Sequence, residues 1–150
     1  MLSRRTANIL VIENDPGLRE WLRSSLKNPC FKVSGVADYF EAVWHLEELE
    51  PDLFIIGEKL PLIDGWEACC QLRRACAVPV MLVGRETDAN VWLRALRVGA
   101  DFYLRMPCGP LELAARVRAV IRRYKREEAL PLPAYGLRKL DGGDICPSNN

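Results

Sequence analysis

The feature that most limits the possible folds of this chain is a set of short, unbroken apolar runs. Residues 53–56 form one run, introduced by Pro51-Asp52 and ended by Gly57, and residues 9–12 and 79–83 contain two others. Runs of this length with β-branched members indicate strands that are covered on both faces, as in a parallel sheet. Ligands of open parallel sheets bind at the carboxyl ends of the strands. Gly57 therefore stands where such a fold carries its chemistry, and it has no side chain.

Amphipathic segments alternate with these runs. Further strands are predicted at residues 31–36 and 101–104, and apolar residues at helical spacing follow each strand. Each predicted helix start is marked by a capping residue or a proline. The starts are Asp15-Pro16, Asp38, Asp64 or Gly65, Thr87 or Asp88, and Gly109-Pro110. Five strand–helix units joined by helical crossovers predict a doubly wound parallel sheet.

Two helices have apolar sides that the spacing defines. The side of the helix after Asp38 is predicted to consist of Phe40, Ala42, Val43, Leu46 and Leu49, with His45 as an ordinary surface or boundary residue. The last helix is predicted to end near residue 126, with an apolar face of Leu111, Leu113, Ala114, Val117, Val120 and Ile121.

Length and charge limit the function classes. The chain has 150 residues, of which 49% are hydrophobic, and its net charge is +1. A chain of this size can bury a proper core, and its overall charge does not favour nucleic acid or membrane surfaces. The apolar runs are too short to span a bilayer, and the N-terminus has no signal-peptide pattern. We expect one soluble, cytoplasmic globular domain.

The cysteine pattern does not indicate a metal site. Six cysteines contain no C-x-x-C pair, and His45 is the only histidine. Structural zinc sites normally show paired ligand spacing, so we expect no metal and interpret the cysteines as free thiols in a reducing compartment. The six are Cys30, Cys69, Cys70, Cys76, Cys108 and Cys146.

The stretch from residue 51 to residue 65 resembles the third strand and following loop of response-regulator receiver domains. The matching residues are Pro51-Asp52-Leu53, Leu60-Pro61 and Asp64-Gly65. The resemblance covers about residues 7–124. It implies a flavodoxin-like (CheY-like) fold, with three α/β/α layers and a five-stranded parallel sheet in the order 2-1-3-4-5.

In that family an aspartate four residues before the proline accepts a phosphoryl group. An acidic pair after the first strand helps to hold Mg²⁺, a Thr or Ser ends the fourth strand, and a Lys-Pro pair follows the fifth. The resemblance places these positions, in chain order, on Glu13, Asn14, Gly57, Gly84 and Met106. Tyr103 matches the aromatic switch position.

Four of these five chemical positions differ from the family pattern. Glycine cannot form an acyl phosphate, and a single exposed carboxylate does not hold Mg²⁺ against its hydration. We therefore expect a pseudo-receiver with no cofactor, no Mg²⁺ and no enzymatic activity. Asp15 is expected to cap a helix and Asp64 to belong to a turn. Glu58 is expected to point away from residue 57, because side chains alternate along a strand.

A receiver without its acceptor can still signal through protein contacts. Receivers of the winged-helix regulator type pair through the face formed by the fourth helix, the fifth strand and the fifth helix. Here the charged residues placed on that face are Arg94, Arg97, Asp101, Glu112, Arg116 and Arg123. We expect phosphorylation-independent signalling, through a homodimer or another signalling protein, in transcriptional regulation. DNA would be contacted only through an effector domain outside this chain.

Two further hypotheses come from other function classes. The space left by Gly57 and Gly84, with Glu13, Asn14 and Met106 at its rim, is a candidate site for a small ligand, although we favour its being filled by neighbouring groups. A thiol redox sensor would use Cys108 or the Cys69-Cys70 pair.

The end of the chain has a different character. Residues 1–126 are predicted to form the receiver domain, and residues 127–150 a linker or tail. Leu130-Pro131-Leu132-Pro133 disfavours helix. Residues 135–144 resemble the start of a winged-helix effector domain, and the plain alternative is a disordered tail.

Overall fold

Five parallel strands form the centre of the structure. In the computed structural model, which describes residues 6–129, the strands are β1 (Ala7–Ile12), β2 (Phe31–Val36), β3 (Leu53–Gly57), β4 (Val80–Gly84) and β5 (Phe102–Arg105). They lie in the order β2-β1-β3-β4-β5, and each neighbouring pair is parallel. The predicted flavodoxin-like sheet and its strand order are confirmed.

Helices connect the strands and cover both faces of the sheet. Within residues 6–129 they are α1 (Pro16–Ser25), α2 (Tyr39–Trp44), α3 (Leu46–Leu49), α4 (Gly65–Ala75), α5 (Val91–Arg97) and α6 (Pro110–Ala129). Because the segment after β2 forms two short helices, the fourth and fifth helices of the prediction correspond to α5 and α6. Residues 130–150, on which most of the predicted tail falls, lie outside the described residues.

Three of the predicted aspartate caps start their helices. Asp15 Oδ2 accepts a hydrogen bond from the amide of the third residue after it at 3.1 Å, and Asp38 Oδ1 and Asp64 Oδ1 accept equivalent bonds at 2.8 and 2.9 Å. Each bond satisfies an amide that has no partner inside the helix. Gly99, with φ of 88°, follows α5 in the left-handed conformation that favours glycine.

Two helix predictions were wrong. Phe40 and Val43 do not lie on a buried side, because α2 turns only Ala42 fully into the core and ends before His45. The helix after β4, α5, begins at Val91, and neither Thr87 nor Asp88 caps it as predicted. The Asp88 side chain accepts from the Asn90 amide at 2.9 Å, which holds this stretch as a turn.

Alternation along the strands creates two apolar cores. Leu10, Ile12, Phe54 and Ile56 point to the face covered by α2–α5, whereas Ile9, Val11, Leu53 and Ile55 point to the face covered by α1 and α6. Both sets are buried, so β1 and β3 have no polar face, and the sheet lies between two layers of helices. Leu111, predicted to belong to the apolar face of the last helix, is exposed.

Strand register places the chain turns of the candidate site at one edge. Ile12 pairs with Ile56, Gly57 pairs with Val83, and Gly84 pairs with Arg105. The residues that follow β1, β3, β4 and β5 therefore meet at the carboxyl edge of the sheet. No helix within residues 6–129 has the length and apolar character needed to cross a membrane.

Gly65 lets α4 start directly against the end of β3. Its amide donates to the Glu58 carbonyl at 3.0 Å. A Cβ at residue 65 would lie 2.9 Å from the carbonyl carbon of Gly57 and closer still to its oxygen. Since both atoms belong to the backbone, neither can move aside without displacing β3 or the helix.

We expect Gly65→Ala to lower the free energy of unfolding by about 1–3 kcal/mol, because the added methyl overpacks against backbone. Urea unfolding of the full chain measures this through the transition midpoint. The control is Gly17→Ala in α1, where the nearest atom to an added Cβ is Asp15 Oδ2 at 3.8 Å. It should be neutral or stabilising, by up to about 1 kcal/mol. Equal effects of the two substitutions would contradict this account.

Candidate functional site

The candidate site residues lie at the carboxyl edge of the sheet. Glu13 and Asn14 follow β1, Gly57 ends β3, Gly84 ends β4, and Met106 follows β5. The fold thus brings all five predicted positions to one edge. The space beside the two glycines is not open, because Glu13 fills it at Gly57, and Glu58 and Tyr103 fill it at Gly84.

Glu13 occupies the space in which a side chain at residue 57 would lie. A Cβ on Gly57 would be 2.9 Å from Glu13 Cδ, and closer still to Glu13 Oε1. The other carboxylate oxygen, Oε2, accepts from the Asp15 amide at 2.9 Å. Glu13 is only 6% exposed, and it is the one charged residue in the buried class among the side chains the structure describes.

Burial decides the electrostatics of Glu13. Loss of hydration raises the pKa of its carboxyl above the usual 4.5, and the nearby negative charge of Asp15 acts in the same direction. The hydrogen bond from the Asp15 amide and the charge of Arg19 oppose the rise in pKa. Arg19 is held close because its Nη1 donates to the Glu13 carbonyl at 2.8 Å.

Glu58 occupies the corresponding space at the end of β4. A Cβ on Gly84 would overlap the Glu58 carboxyl group and the Tyr103 hydroxyl. Glu58 Oε2 accepts from the Arg85 amide at 3.1 Å, and Glu58 Oε1 accepts from the Tyr103 hydroxyl at 3.1 Å. The glutamate therefore spans from the end of β3 to β4 and β5.

Glu58 was predicted to point away from residue 57, and the atoms nearest to a Cβ built on Gly57 belong to Glu13 and not to Glu58, but the direction that Glu58 takes instead was not predicted. Strand alternation applies to residues inside β3, which ends at Gly57, so it does not fix the direction of the next side chain. Glu58 leaves the Gly57 position to Glu13 and lies over Gly84 instead. The sequence signal that pointed to this role was the bare α-carbon at Gly84, which needs a neighbour to fill its space.

Tyr103 is held by contacts on both its ring and its hydroxyl. Besides donating to Glu58, the hydroxyl accepts from the Glu86 amide at 2.9 Å. The ring stacks on Trp66 with 5.7 Å between centroids. Burial, with Glu58 nearby, raises the pKa of the Tyr103 phenol to about 12. Tyr103 is 2% exposed, so its ring lies inside the protein in the described conformation.

Met106 does not contribute to the rim of a pocket. It is buried in the core between the sheet and the layer of α1 and α6, with Leu113 and Val117. Its thioether also contacts the Cys108 sulfur, at 3.7 Å. The prediction of a cavity rimmed by Glu13, Asn14 and Met106 is therefore wrong for Met106.

Asn14 and Asp15 complete the turn after β1. Asn14 is exposed and its carbonyl lies 3.4 Å from Arg19 Nη1. Asp15 uses its carboxylate to cap α1 and its amide to bind Glu13. As expected, Asp15 serves the helix start, and the Glu13 side chain belongs to the same turn.

The cysteines do not form a reactive centre in the described residues. Cys30, Cys69, Cys76 and Cys108 are free, whereas Cys70 is disulfide-bonded and thus departs from the predicted free thiols. Burial raises the pKa of the Cys69 thiol to about 12 and raises that of Cys108 above its usual value of 9.0. A raised thiol pKa lowers the thiolate population, which disfavours a redox role for either residue.

The predicted dimer-face residues have several contacts within the chain. The guanidinium of Arg94 lies 4.1 Å from the Trp66 ring centroid, and that of Arg116 lies 4.9 Å from the Phe102 ring. Asp101 accepts from the Val80 amide at 2.8 Å and lies 3.7 Å from Arg73. Arg97, Glu112 and Arg123 are exposed. The Asp101 side chain therefore connects the start of β4 to the residue before β5.

Apolar side chains on the same face were missed by the charge-based prediction. Trp92, Leu93 and Leu96 of α5 are exposed, as is Leu111 at the start of α6. Trp92 packs edge-to-face on Phe102 with ring centroids 4.8 Å apart. The spacing of Val91, Ala95 and Val98, which are buried, could have identified the outward side of α5 from sequence.

Comparison with known proteins defines the family. Residues 9–118 match the response regulator receiver domain. The chain therefore belongs to the response regulator receiver domain family, and its match covers the whole sheet except the first residues of β1.

Two similar curated proteins are regulators of longer chain length. The chain is 37% identical over 121 residues to the DNA-binding response regulator MtrA of Mycolicibacterium smegmatis, covering 81% of this chain and 53% of MtrA. It is 35% identical over 124 residues to the transcriptional activator protein IrlR of Burkholderia pseudomallei, covering 83% of this chain and 54% of IrlR. The chain thus spans about half the length of the curated relatives it matches.

Solved structures share the fold. The signal receiver domain of a signal transduction histidine kinase from Syntrophus aciditrophicus is 30% identical, with a TM-score of 0.71, covering 85% of this chain and 99% of that one. A CheY-like receiver from Methanospirillum hungatei superposes with a TM-score of 0.74 at 20% identity, covering 81% of this chain and 98% of that one. The second likeness shows the fold alone.

The raised pKa of Glu13 makes a directional prediction for stability. Between pH 4.5 and the higher folded-state pKa, the folded chain binds more protons than the unfolded chain, so lowering the pH through this window stabilises the fold. Glu13→Gln removes this contribution while keeping an acceptor for the Asp15 amide. We expect the stability of wild type relative to Glu13→Gln to rise as the pH falls from neutrality toward 4.5.

Urea unfolding at a series of pH values measures this difference. Glu112→Gln, which removes one exposed carboxylate, accounts for the general effect of losing a negative charge. A difference between wild type and Glu13→Gln that stays constant, or that shrinks toward low pH, would contradict the burial of a costly carboxylate at this position.

Proposed function

We propose that this chain is a pseudo-receiver that signals without phosphorylation, through protein–protein contacts, in transcriptional regulation. The observation that carries the proposal is the Glu13 carboxylate buried over Gly57. The family resemblance assigns residue 57 as the acceptor position. A glycine offers no oxygen for an acyl phosphate, and the space beside it is already occupied by a side chain with a negative charge.

The residues present do not fit Mg²⁺. This ion requires near-octahedral oxygen ligands and is held by carboxylates. Glu13 directs one carboxylate oxygen to the Asp15 amide and the other toward Gly57, and Asn14 is neutral. Among the described residues no group of three or more His, Cys, Asp or Glu side chains is placed to hold a metal. We therefore assign the chain no step that depends on Mg²⁺.

Glu58 supports the idea of a switch held in one position. In the family a Thr or Ser side chain and an aromatic residue change together on modification. Here Gly84 has no hydroxyl, and Glu58 takes its place as the partner of Tyr103. Tyr103 stacks on Trp66, and Trp66 lies under Arg94 of α5. A contiguous set of contacts thus joins the carboxyl edge to the outer surface of α5.

The proposed output surface is the face of α5, β5 and α6. It combines the exposed apolar residues Trp92, Leu93 and Leu96 with arginines and Glu112. Exposed ion pairs contribute only about 0–1 kcal/mol each, so charge would set the register of a homodimer while apolar contact supplies most of the affinity. Another signalling protein with a complementary surface is the alternative partner.

The wider role follows from the relatives as a proposal. MtrA is named as a DNA-binding response regulator and IrlR as a transcriptional activator, and this chain spans about half of each. We assign residues 1–126 to the receiver and residues 127–150 to a linker or tail leading toward an effector region. Contact with DNA is assigned to that effector region and not to the receiver.

The first test is exposure to small phosphodonors. Incubation of the full chain with acetyl phosphate and Mg²⁺ should leave its mass unchanged, whereas a receiver with its acceptor aspartate should gain about 80 Da, the mass of one phosphoryl group. Intact-protein mass spectrometry reads the result. A stable adduct, mapped by fragmentation to Glu13, Asp15 or Glu58, would overturn the proposal and name the substitute acceptor.

The second test concerns the output surface. Sedimentation velocity of the unmodified full chain should show a dimer, and Leu96→Asp should weaken it at least about tenfold by placing a charge in the apolar centre of the interface. The control is Leu62→Asp in the loop after β3, which changes another exposed leucine away from this face. A monomer at all concentrations, or a dimer that both substitutions affect equally, would contradict the proposed surface.

A further inference from the structure

A second exposed apolar surface lies on α2, away from the proposed output face. Its centre is formed by Phe40, Val43 and Trp44, which are spaced at i, i+3 and i+4 and so share one side of the helix. Trp44 is 83% exposed and Phe40 is 50% exposed. These three residues are called the α2 patch. Single exposed apolar residues are common, but three adjacent ones mark candidate binding surfaces.

The local fold keeps the patch exposed. Ala42 is fully buried, and Tyr39, Leu46 and Leu49 pack against the core, so the inward positions of α2 and α3 are already filled. Phe40 is also held from one side, because its ring meets Tyr39 edge-to-face with centroids 5.2 Å apart. The patch is therefore a preformed surface, and burying it against the sheet would displace groups that are already packed there.

Acidic residues flank the patch along the sequence, with no lysine or arginine among them. Between Lys32 and Lys59 the chain contains seven acidic residues and His45 but no lysine or arginine, the acids being Asp38, Glu41, Glu47, Glu48, Glu50, Asp52 and Glu58. Glu41, Glu47, Glu48 and Glu50 are exposed. Since the net charge of the whole chain is +1, this segment is locally far more negative than the average surface.

Some of these acids accept backbone hydrogen bonds at the start of a helix, and others do not. Asp38 caps α2, and Glu41 Oε1 accepts from the Ala37 amide at 3.0 Å. Glu48 lies 3.1 Å from His45 Nδ1 at the junction of α2 and α3. Substituting Glu47 and Glu48 removes no helix-capping hydrogen bond. These substitutions therefore separate the effect of charge on binding from an effect on folding.

We propose that the α2 patch is a docking site for a basic amphipathic segment of a partner protein. Such a segment places apolar residues at i, i+3 and i+4 against the patch. Its lysine or arginine residues pair with exposed acids of α2 and α3 such as Glu47 and Glu48. Charge complementarity selects this occupant. Pairing two α2 patches across a twofold axis would set acid against acid, and nucleic acid would be repelled by the same charges.

A model amphipathic helix tests the proposal directly. The probe is a fluorescein-labelled peptide of about 18 residues, five helical turns, in which leucines share one face and lysines the other. Fluorescence anisotropy with the full chain should give saturable binding that weakens as salt rises from about 0.05 M to about 0.5 M. A peptide of the same composition in scrambled order, and one with glutamates in place of lysines, should bind at least about tenfold more weakly.

Matched variants locate the binding. Phe40→Ala/Trp44→Ala should weaken binding at least about tenfold, because exposed aromatic anchors dominate interfaces of this kind. Glu47→Gln/Glu48→Gln should weaken it a few-fold and reduce its salt dependence. Trp92→Ala/Leu96→Ala removes exposed apolar groups from α5 and should leave peptide binding unchanged. The substituted side chains are all exposed, and circular dichroism of each variant checks that the fold is intact.

Several outcomes would overturn the assignment. They are equal binding of the scrambled peptide, loss of binding in the α5 variant, and no saturable binding to wild type. Loss of self-association in Phe40→Ala/Trp44→Ala would assign the patch to a second copy of the chain. Binding of a peptide of residues 130–150 to wild type but not to that variant would assign it to the chain's own terminal segment. None of these results depends on phosphorylation at the carboxyl edge.

Discussion

The carboxyl edge of this receiver depends on a buried carboxylate lying against a bare α-carbon. Glu13 and Gly57 are complementary, because the glutamate fills the space that any side chain at residue 57 would need. The cost of burying the acid is partly offset by the Asp15 amide and the charge of Arg19. A change at either position must be accommodated by the other, so the bare α-carbon of Gly57 and the burial of Glu13 are one structural feature.

Glu58 repeats the same arrangement one strand further along. It lies over Gly84 and accepts from Tyr103 and from the Arg85 amide. Glu13 and Glu58 thus both bring a carboxyl group to this edge of the sheet. The Tyr103 ring then lies against Trp66, which is covered by Arg94 of α5. The α5 surface is thereby connected to Glu58 at the carboxyl edge through Trp66 and Tyr103.

Features encoded locally could be predicted from the sequence, and those decided by packing could not. The strands themselves and the caps at Asp15, Asp38 and Asp64 follow from apolar runs and capping residues that act over a few positions, whereas the strand order was implied by the family resemblance. The direction of Glu58 depends on two features: β3 ends at Gly57, one residue before Glu58, and Gly84 of β4 leaves space for the Glu58 side chain. Met106 likewise lies in the core, because removing an apolar thioether side chain from water is favourable.

The near-neutral net charge conceals two surfaces of opposite character. The segment around α2 and α3 is acidic, while α5 and α6 expose a group of basic residues, namely Arg94, Arg97, Arg116, Arg118, Arg122, Arg123 and Lys125. Each surface also carries exposed aromatic or aliphatic groups, centred on Trp44 in one and on Trp92 and Leu96 in the other. Partners suited to one surface are electrostatically unsuited to the other. The charge of a partner therefore distinguishes the two surfaces, and this discrimination requires no change of conformation.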